Sequence, residues 1–208
     1  MKLLIIGATG PTGRLVLERA LQAGDTVTVL ARRPQALEEW KGKITVHAGD
    51  ATSEADMVQA MRGVDAVISA LGTGQSLRAN ELFTRAADAL ISAGNQTGVT
   101  RLVWLSSFGA GDTFRDASIV QKISYRTLLR DIYRNKDASE QKIRASGLNW
   151  TIVYPTGLKN GPARGEYRVA ERIRMKGFPW INRADVADFM HQAVQGDEWI
   201  RRHAVITY

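Results

Sequence analysis

The chain has 208 residues, a formal net charge of +7, 44% hydrophobic and 24% charged residues, and no cysteine. That length suits one domain with a substantial core and is short for two. The missing cysteines exclude disulfides, thiolate metal sites and a cysteine nucleophile. His47, His191 and His203 lie too far apart in sequence for metal-ligand spacing, so no metal is expected.

The first element is a buried-type strand, Lys2–Ile6, and GATGPTG follows it at Gly7–Gly13. An amphipathic run then starts at Arg14, with Leu17, Ala20 and Leu21 on one face, and Gly24 stops it. Thr26–Leu30 reads as the second strand. Strand, glycine-rich turn, helix and strand thus fit within a span of about 30 residues, the context a dinucleotide fingerprint requires. Gly7 permits the tight turn, Gly10 lets backbone approach a phosphate, and Gly13 lets the helix pack on the strand. The pyrophosphate is expected at the helix N-terminus, beside Pro11, with Thr9 and Thr12 as hydroxyl donors.

An NAD-selective site places an acid about 20 positions past the glycines. Arg32 and Arg33 stand there instead, with no acid beside them. A guanidinium pair suits a 2′-phosphate, so NADP(H) is expected over NAD(H).

The β-then-α rhythm continues. Ile44–Ala48 is a third strand ending at Gly49-Asp50, where Asp50 is expected to meet the adenine or to cap the Ser53–Arg62 helix. Asp65–Ala70 is a fourth strand, and the small residues after it leave room for ribose or nicotinamide. A helix is expected over Arg78–Ala93 with Gly94 at its end, a strand over Arg101–Leu105, and a long helix within Ser118–Ser146 with Gly147 as its stop. Asn149–Tyr154, a last helix Ala184–Gln195 with Asn182 as N-cap, and a final strand Ala204–Thr207 complete the chain. Strands alternating with helices predict an α/β fold, a Rossmann-type, doubly wound, mainly parallel sheet with helices on both faces. Residues 1–208 form one domain, with a small substrate-side region at about 154–183. Ligands of such sheets bind outside the carboxyl ends of the strands. The expected cofactor contacts are Gly7, Thr9, Gly10, Pro11, Thr12, Gly13, Arg32, Arg33, Asp50, Ala51, Leu71, Gly72, Thr73, Ser106, Pro155 and Thr156.

The basic residues of Arg115–Arg144 and Lys159–Lys176 are mixed with acids and lack interleaved aromatics, so no nucleic acid is expected. The first apolar run is too short for a signal peptide, and no run approaches a membrane span. A soluble, cytoplasmic protein, monomeric or dimeric and without a membrane partner, is expected.

GATGPTGR, Gly49-Asp50, DAVISALG at Asp65–Gly72, LVWLSS at Leu102–Ser107, ASGLNWTIVYPTGL at Ala145–Leu158, GEY at Gly165–Tyr167 and INRADVADFM at Ile181–Met190 occur in this order. Together they resemble the atypical short-chain dehydrogenase/reductase superfamily, in the small NAD(P)H-binding branch that holds the biliverdin and flavin reductases. The resemblance spans essentially the whole chain. It implies NADPH-dependent hydride transfer to a flavin (FMN or FAD) or a similar planar small-molecule acceptor, and it marks Ser107 as the active-site serine. Gly157 stands where the branch carries a histidine, which argues more against biliverdin than against flavin.

Alcohol- and ketone-reducing members of the superfamily pair a Tyr with a Lys four residues later. Here Tyr125 has Leu129 at that offset and Tyr133 has Asp137. Lys136 falls at the superfamily's lysine position, but three residues after Tyr133, about 100° out of register on a helix. A standard carbonyl reductase is therefore disfavoured, and both tyrosines read as packing residues. Ser107, and less directly Lys136, are the candidate catalytic residues. Trp180 and Phe178 read as core packing with a possible acceptor contact. A non-catalytic NADP(H) sensor of the NmrA-like kind fits the same residues. So does an NAD-dependent epimerase or dehydratase, although only a short region follows the sixth strand.

Overall fold

The computed structural model describes every residue except Gln75 and Leu128 and the side chains of Ile119, Val120 and Arg126. In chain order the elements are β1 (Lys2–Ile6), α1 (Pro11–Gln22), β2 (Thr26–Ala31), β3 (Thr45–Ala48), α2 (Glu54–Met61), β4 (Ala66–Ser69), α3 (Leu82–Thr97), β5 (Arg101–Leu105), α4 (Ile119–Arg126), α5 (Arg130–Ala145), β6 (Asn149–Pro155), β7 (Gly157–Lys159), β8 (Arg168–Ala170), β9 (Trp180–Asn182), α6 (Arg183–Gln195) and β10 (Arg202–Thr207). Short 3-10 turns cover Pro34–Trp40 and Gly111–Asp116.

The main sheet runs β3-β2-β1-β4-β5-β6-β10-β8. Every pairing in it is parallel except the edge pair β10–β8. The direction of winding reverses between β1 and β4, so a crevice opens at their carboxyl ends. The central strands are continuous apolar runs because both faces are covered. Alternate residues separate the two cores. Leu4, Ile6, Leu102, Trp104, Ile152 and Tyr154 face α2, α3 and α5, whereas Leu3, Ile5, Val103, Leu105 and Val153 face α1 and α6.

The sheet and its helices follow the sequence expectation, and several local features depart from it. The Arg78–Ala93 helix starts later and runs further, to Thr97. Gly94 lies buried within it, and Gly98 (φ 77°) is the residue that ends it. Leu148 and the Val99 carbonyl press on Gly94, which is why the position is small. The Ser118–Ser146 stretch contains the expected long helix, α5, and a shorter one, α4, before it, with Leu128 outside the described residues. Ser118 begins α4 with a capping box to Gln121. Ser146, not Gly147, is the cap of α5. Asp50 does not cap α2. Ser53 does, accepting from the Asp56 N–H. Asn182 occupies the N-cap position of α6, but its side-chain amide donates to the Pro162 carbonyl instead. Phe178 is not core at all, with 73% of its surface exposed.

Candidate functional site

The glycine loop sits at the β1–β4 reversal. Gly7 has φ 82°, and a Cβ there would lie 2.6 Å from the Ala70 carbonyl oxygen, so the loops after β1 and β4 touch. A Cβ on Gly13 would lie 2.1 Å from the Gly7 oxygen, which fixes α1 tightly against the turn. At Gly10 the conformation is ordinary (φ −85°), and the nearest atom to an added Cβ is the Gly7 oxygen at 3.3 Å. Gly10 donates its N–H to Gly7 at 3.0 Å and ends the turn as the N-cap of α1.

Pro11 supplies no N–H, no side chain among the described residues caps the helix, and its first turn contains no acid. Free N–H groups and the positive end of the helix dipole therefore face the crevice, an arrangement suited to a pyrophosphate. Thr12 is 6% exposed and Thr9 half-buried beside it.

Arg32 and Arg33 emerge exposed at the end of β2. Neither meets a carboxylate at ion-pair distance among the described residues. Arg14, not singled out by the sequence reading, lies nearby. It donates to Glu39 and to the Ala36 carbonyl at 3.0 Å, with its guanidinium 5.1 Å above the Trp40 ring. Asp50 accepts from the Thr52 N–H and hydroxyl on one oxygen, at 2.8 and 2.9 Å. Those hydrogen bonds outweigh partial burial, and together with the Arg32 and Arg85 charges they hold its carboxyl below the usual range. Ala51 is buried behind it, Leu71 packs on the core, Gly72 is open, and the Thr73 hydroxyl donates to the Ser76 carbonyl at 2.8 Å.

Further along the edge, the Ser106 hydroxyl is turned inward. It donates to Glu140, whose other oxygen accepts from Tyr154 at 2.5 Å. The Thr156 hydroxyl donates to Thr207 at 2.9 Å, and Pro155 is buried in β6. At these positions the protein presents backbone rather than side-chain hydroxyls. Ser107 is half-buried and has no side-chain hydrogen bond among the described residues.

Lys136 is buried, 6% exposed, with its ammonium 4.5 Å over the Phe83 ring. Burial pushes it down to about 8, against the opposing pull of Glu140. Burial likewise raises Glu140. Lys136 is thus packed between α3 and α5 and is not part of the cavity lining described next.

A cavity of about 470 Å³ opens beside the loop after β5, lined by Gly109, Phe114, Tyr125, Arg130, Tyr133, Arg134 and Asp137. Tyr125 and Tyr133 stack with centroids 4.4 Å apart. Gly109 (φ 102°) receives the Tyr125 ring, which an added Cβ would meet at 2.2 Å. The Tyr133 hydroxyl donates to the Phe108 carbonyl at 3.1 Å, and burial raises its pKa strongly. Asp137 accepts from the Gly111 N–H, and partial burial raises its carboxyl. The sequence reading set the two tyrosines aside as packing residues and did not single out Arg130, Arg134 or Phe114. A Tyr–Lys dyad is spaced within one helix, whereas a stack built across two helices leaves no local signal.

Among the described residues no helix is long and apolar enough to cross a membrane. A family model described as NAD(P)H-binding matches residues 7–197. The UPF0659 protein YMR090W of Saccharomyces cerevisiae is 27% identical over 206 residues, covering 93% of this chain and 87% of that one. The isoflavone reductase homolog P3 of Arabidopsis thaliana is 32% identical, covering 77% of this chain and 49% of its own length. The anaerobilin reductase ChuY of Escherichia coli O157:H7 superposes with a TM-score of 0.84 at 24% identity, covering 99% of this chain and 96% of that one, a likeness of fold. The chain belongs to the NAD(P)H-binding family.

Proposed function

We propose that this protein is an NADPH-dependent reductase of a planar acceptor, with flavin as the model substrate. The cavity at the carboxyl edge of the sheet carries this reading, because its stacked Tyr125–Tyr133 wall offers a flat apolar surface beside the exposed cations Arg130 and Arg134.

Gly7–Gly13, with Thr9 and Thr12, would hold the cofactor pyrophosphate. Arg32 and Arg33 would take the 2′-phosphate, and the second carboxylate oxygen of Asp50 would meet the adenine. Ala51, Leu71, Gly72 and Thr73 would line the ribose path. The backbone of Ser106, Pro155 and Thr156 would seat the nicotinamide end. When bound, NADPH supplies the hydride. The protein's work is to hold a flat acceptor in place and exclude water, and placement alone provides much of the rate in such a transfer. Ser107 has a free hydroxyl to orient the acceptor. Tyr133 keeps its proton, since its hydroxyl is buried and donates to a carbonyl.

The test is oxidation of NADPH with FMN as acceptor, followed by loss of nicotinamide absorbance, with NADH run beside it. Turnover that favours NADPH is expected. Tight NADP(H) binding with no turnover would replace this reading with that of a redox sensor.

A further inference from the structure

A second cavity, of about 450 Å³, lies past the end of β6 and brings Arg168, Arg174 and Lys176 together with Phe178, Trp180 and Tyr208. Its floor is fastened to the carboxyl edge of the sheet. Trp180 is in register with Gly157, directly after Pro155-Thr156, and Gly157 donates its N–H to the Pro179 carbonyl at 3.1 Å. Tyr208 follows Thr207, whose hydroxyl receives that of Thr156. Trp180 and Tyr208 meet edge to face, with centroids 4.9 Å apart.

One backbone hydrogen bond ties the second cavity's lining to the turn that lines the first. Met175 lines the second and donates its N–H to the Asp116 carbonyl at 3.2 Å. Asp116 closes the short 3-10 turn whose Phe114 lines the first cavity.

The charged side chains that line the second cavity are all cationic. Lys159 lies 4.1 Å and Arg164 4.7 Å from the Trp180 ring centre. Arg168 donates to the Tyr208 carbonyl at 3.1 Å. Arg174 and Lys176 meet no carboxylate at ion-pair distance among the described residues. The nearby acids are already engaged: Asp116 with Arg172, Glu171 with Arg202, and Asp185 with the Arg164 and Gly165 N–H groups and the Tyr208 hydroxyl. Phe178 stays 73% exposed at the rim. Unengaged cations around exposed aromatic surface match an anionic group carried on an apolar body.

We propose that this cavity is a subsite for the anionic arm of the acceptor, a phosphate or carboxylate, gripped by Arg174 and Lys176. The inference rests on the reductase reading, and it makes the enzyme selective for acidic acceptors over neutral ones with the same ring.

Calorimetry on NADP⁺-saturated protein tests it with FMN and riboflavin, which share a ring system and differ by a phosphate. FMN is expected to bind about tenfold tighter than riboflavin, as charge-assisted bonds to one phosphate allow. In the Arg174→Ala/Lys176→Ala double variant that advantage disappears, while riboflavin affinity changes less than about twofold. Raised salt shrinks the advantage in the wild type only. Equal affinity for the two flavins, no FMN binding, or an advantage that survives the double substitution overturns the subsite. The reductase reading fails separately, if the flavins bind in the expected pattern but neither supports NADPH oxidation.

Discussion

Tyr125 and Tyr133 stack with their ring planes 23° apart, one from α4 and one from α5. Both rings line the first cavity, and the Tyr133 hydroxyl is tied to the loop after β5. Tyr125→Ala removes one of the two rings. The acceptor KM should rise about tenfold, in line with the loss of one aromatic contact and its buried area. NADPH affinity should stay within about twofold.

Tyr133→Phe separates packing from proton transfer. The substitution keeps the ring and deletes only the hydroxyl. Removing a true general acid typically lowers kcat by about 100-fold or more. We expect a change of less than about threefold in kcat with FMN, and a larger fall would make Tyr133 the proton donor.

Arg32 and Arg33 are exposed, and neither forms a close ion pair among the described residues, although the Arg32 charge reaches Asp50. Replacing both by Ala should weaken NADPH binding by about tenfold or more, the scale of lost charge-assisted contacts. NADH binding should hardly move. Equal weakening of both cofactors, read by calorimetry, would remove the 2′-phosphate assignment.

Gly10 and Gly13 should fail in different ways. An alanine methyl at Gly13 meets the Gly7 oxygen at 2.1 Å, so Gly13→Ala must displace α1 or the turn, at a cost of about 3 kcal/mol or more in denaturant unfolding. At Gly10 the nearest clash is 3.3 Å and φ is −85°, so Gly10→Ala should fold normally and lose NADPH affinity alone. A Gly10→Ala variant that binds NADPH like the wild type would show that the turn does not hold the phosphate.

Asp25 ties the amino end of β2 to α6. Burial alone would raise its carboxyl. Hydrogen bonds from the Met1 ammonium and from His191 at 2.6 Å outweigh that and bring it below the ordinary value of 3.8. A carboxyl depressed in the folded state contributes stability above its unfolded value and loses it as pH falls through the folded one. The wild type should therefore lose stability below about pH 3.8, where the unfolded carboxyl takes up its proton first. Asp25→Asn should be less stable by about 1–3 kcal/mol at neutral pH and flatter in that acid window. Thermal unfolding across pH reads both effects.

Much of the fold was readable because its signals are local. The runs Leu3–Ile6 and Leu102–Leu105 are apolar throughout, as strands covered on both faces must be, and the glycines mark where strand turns into helix. Helix ends were less readable. Gly94 resembles a stop, yet it is small because Leu148 and Val99 press on it from distant parts of the chain. Asp50 reads as a cap, yet its carboxylate is held by Thr52, and Ser53, next to the helix, accepts from the Asp56 N–H.

By itself the sequence determined the β–α alternation, the strand ends where a ligand can bind, and the glycine turn whose spacing marks a dinucleotide site. Each of these depends on residues within a few positions of one another. Tertiary structure alone decided that the Ser106 hydroxyl turns inward to Glu140, that Lys136 is shut behind Phe83, and that Tyr125 meets Tyr133. It also gathered Arg168, Arg174, Trp180 and Tyr208 around one cavity. Those meetings follow from how the strands are ordered and how the helices pack, so side chains far apart in the chain become neighbours that no local pattern encodes.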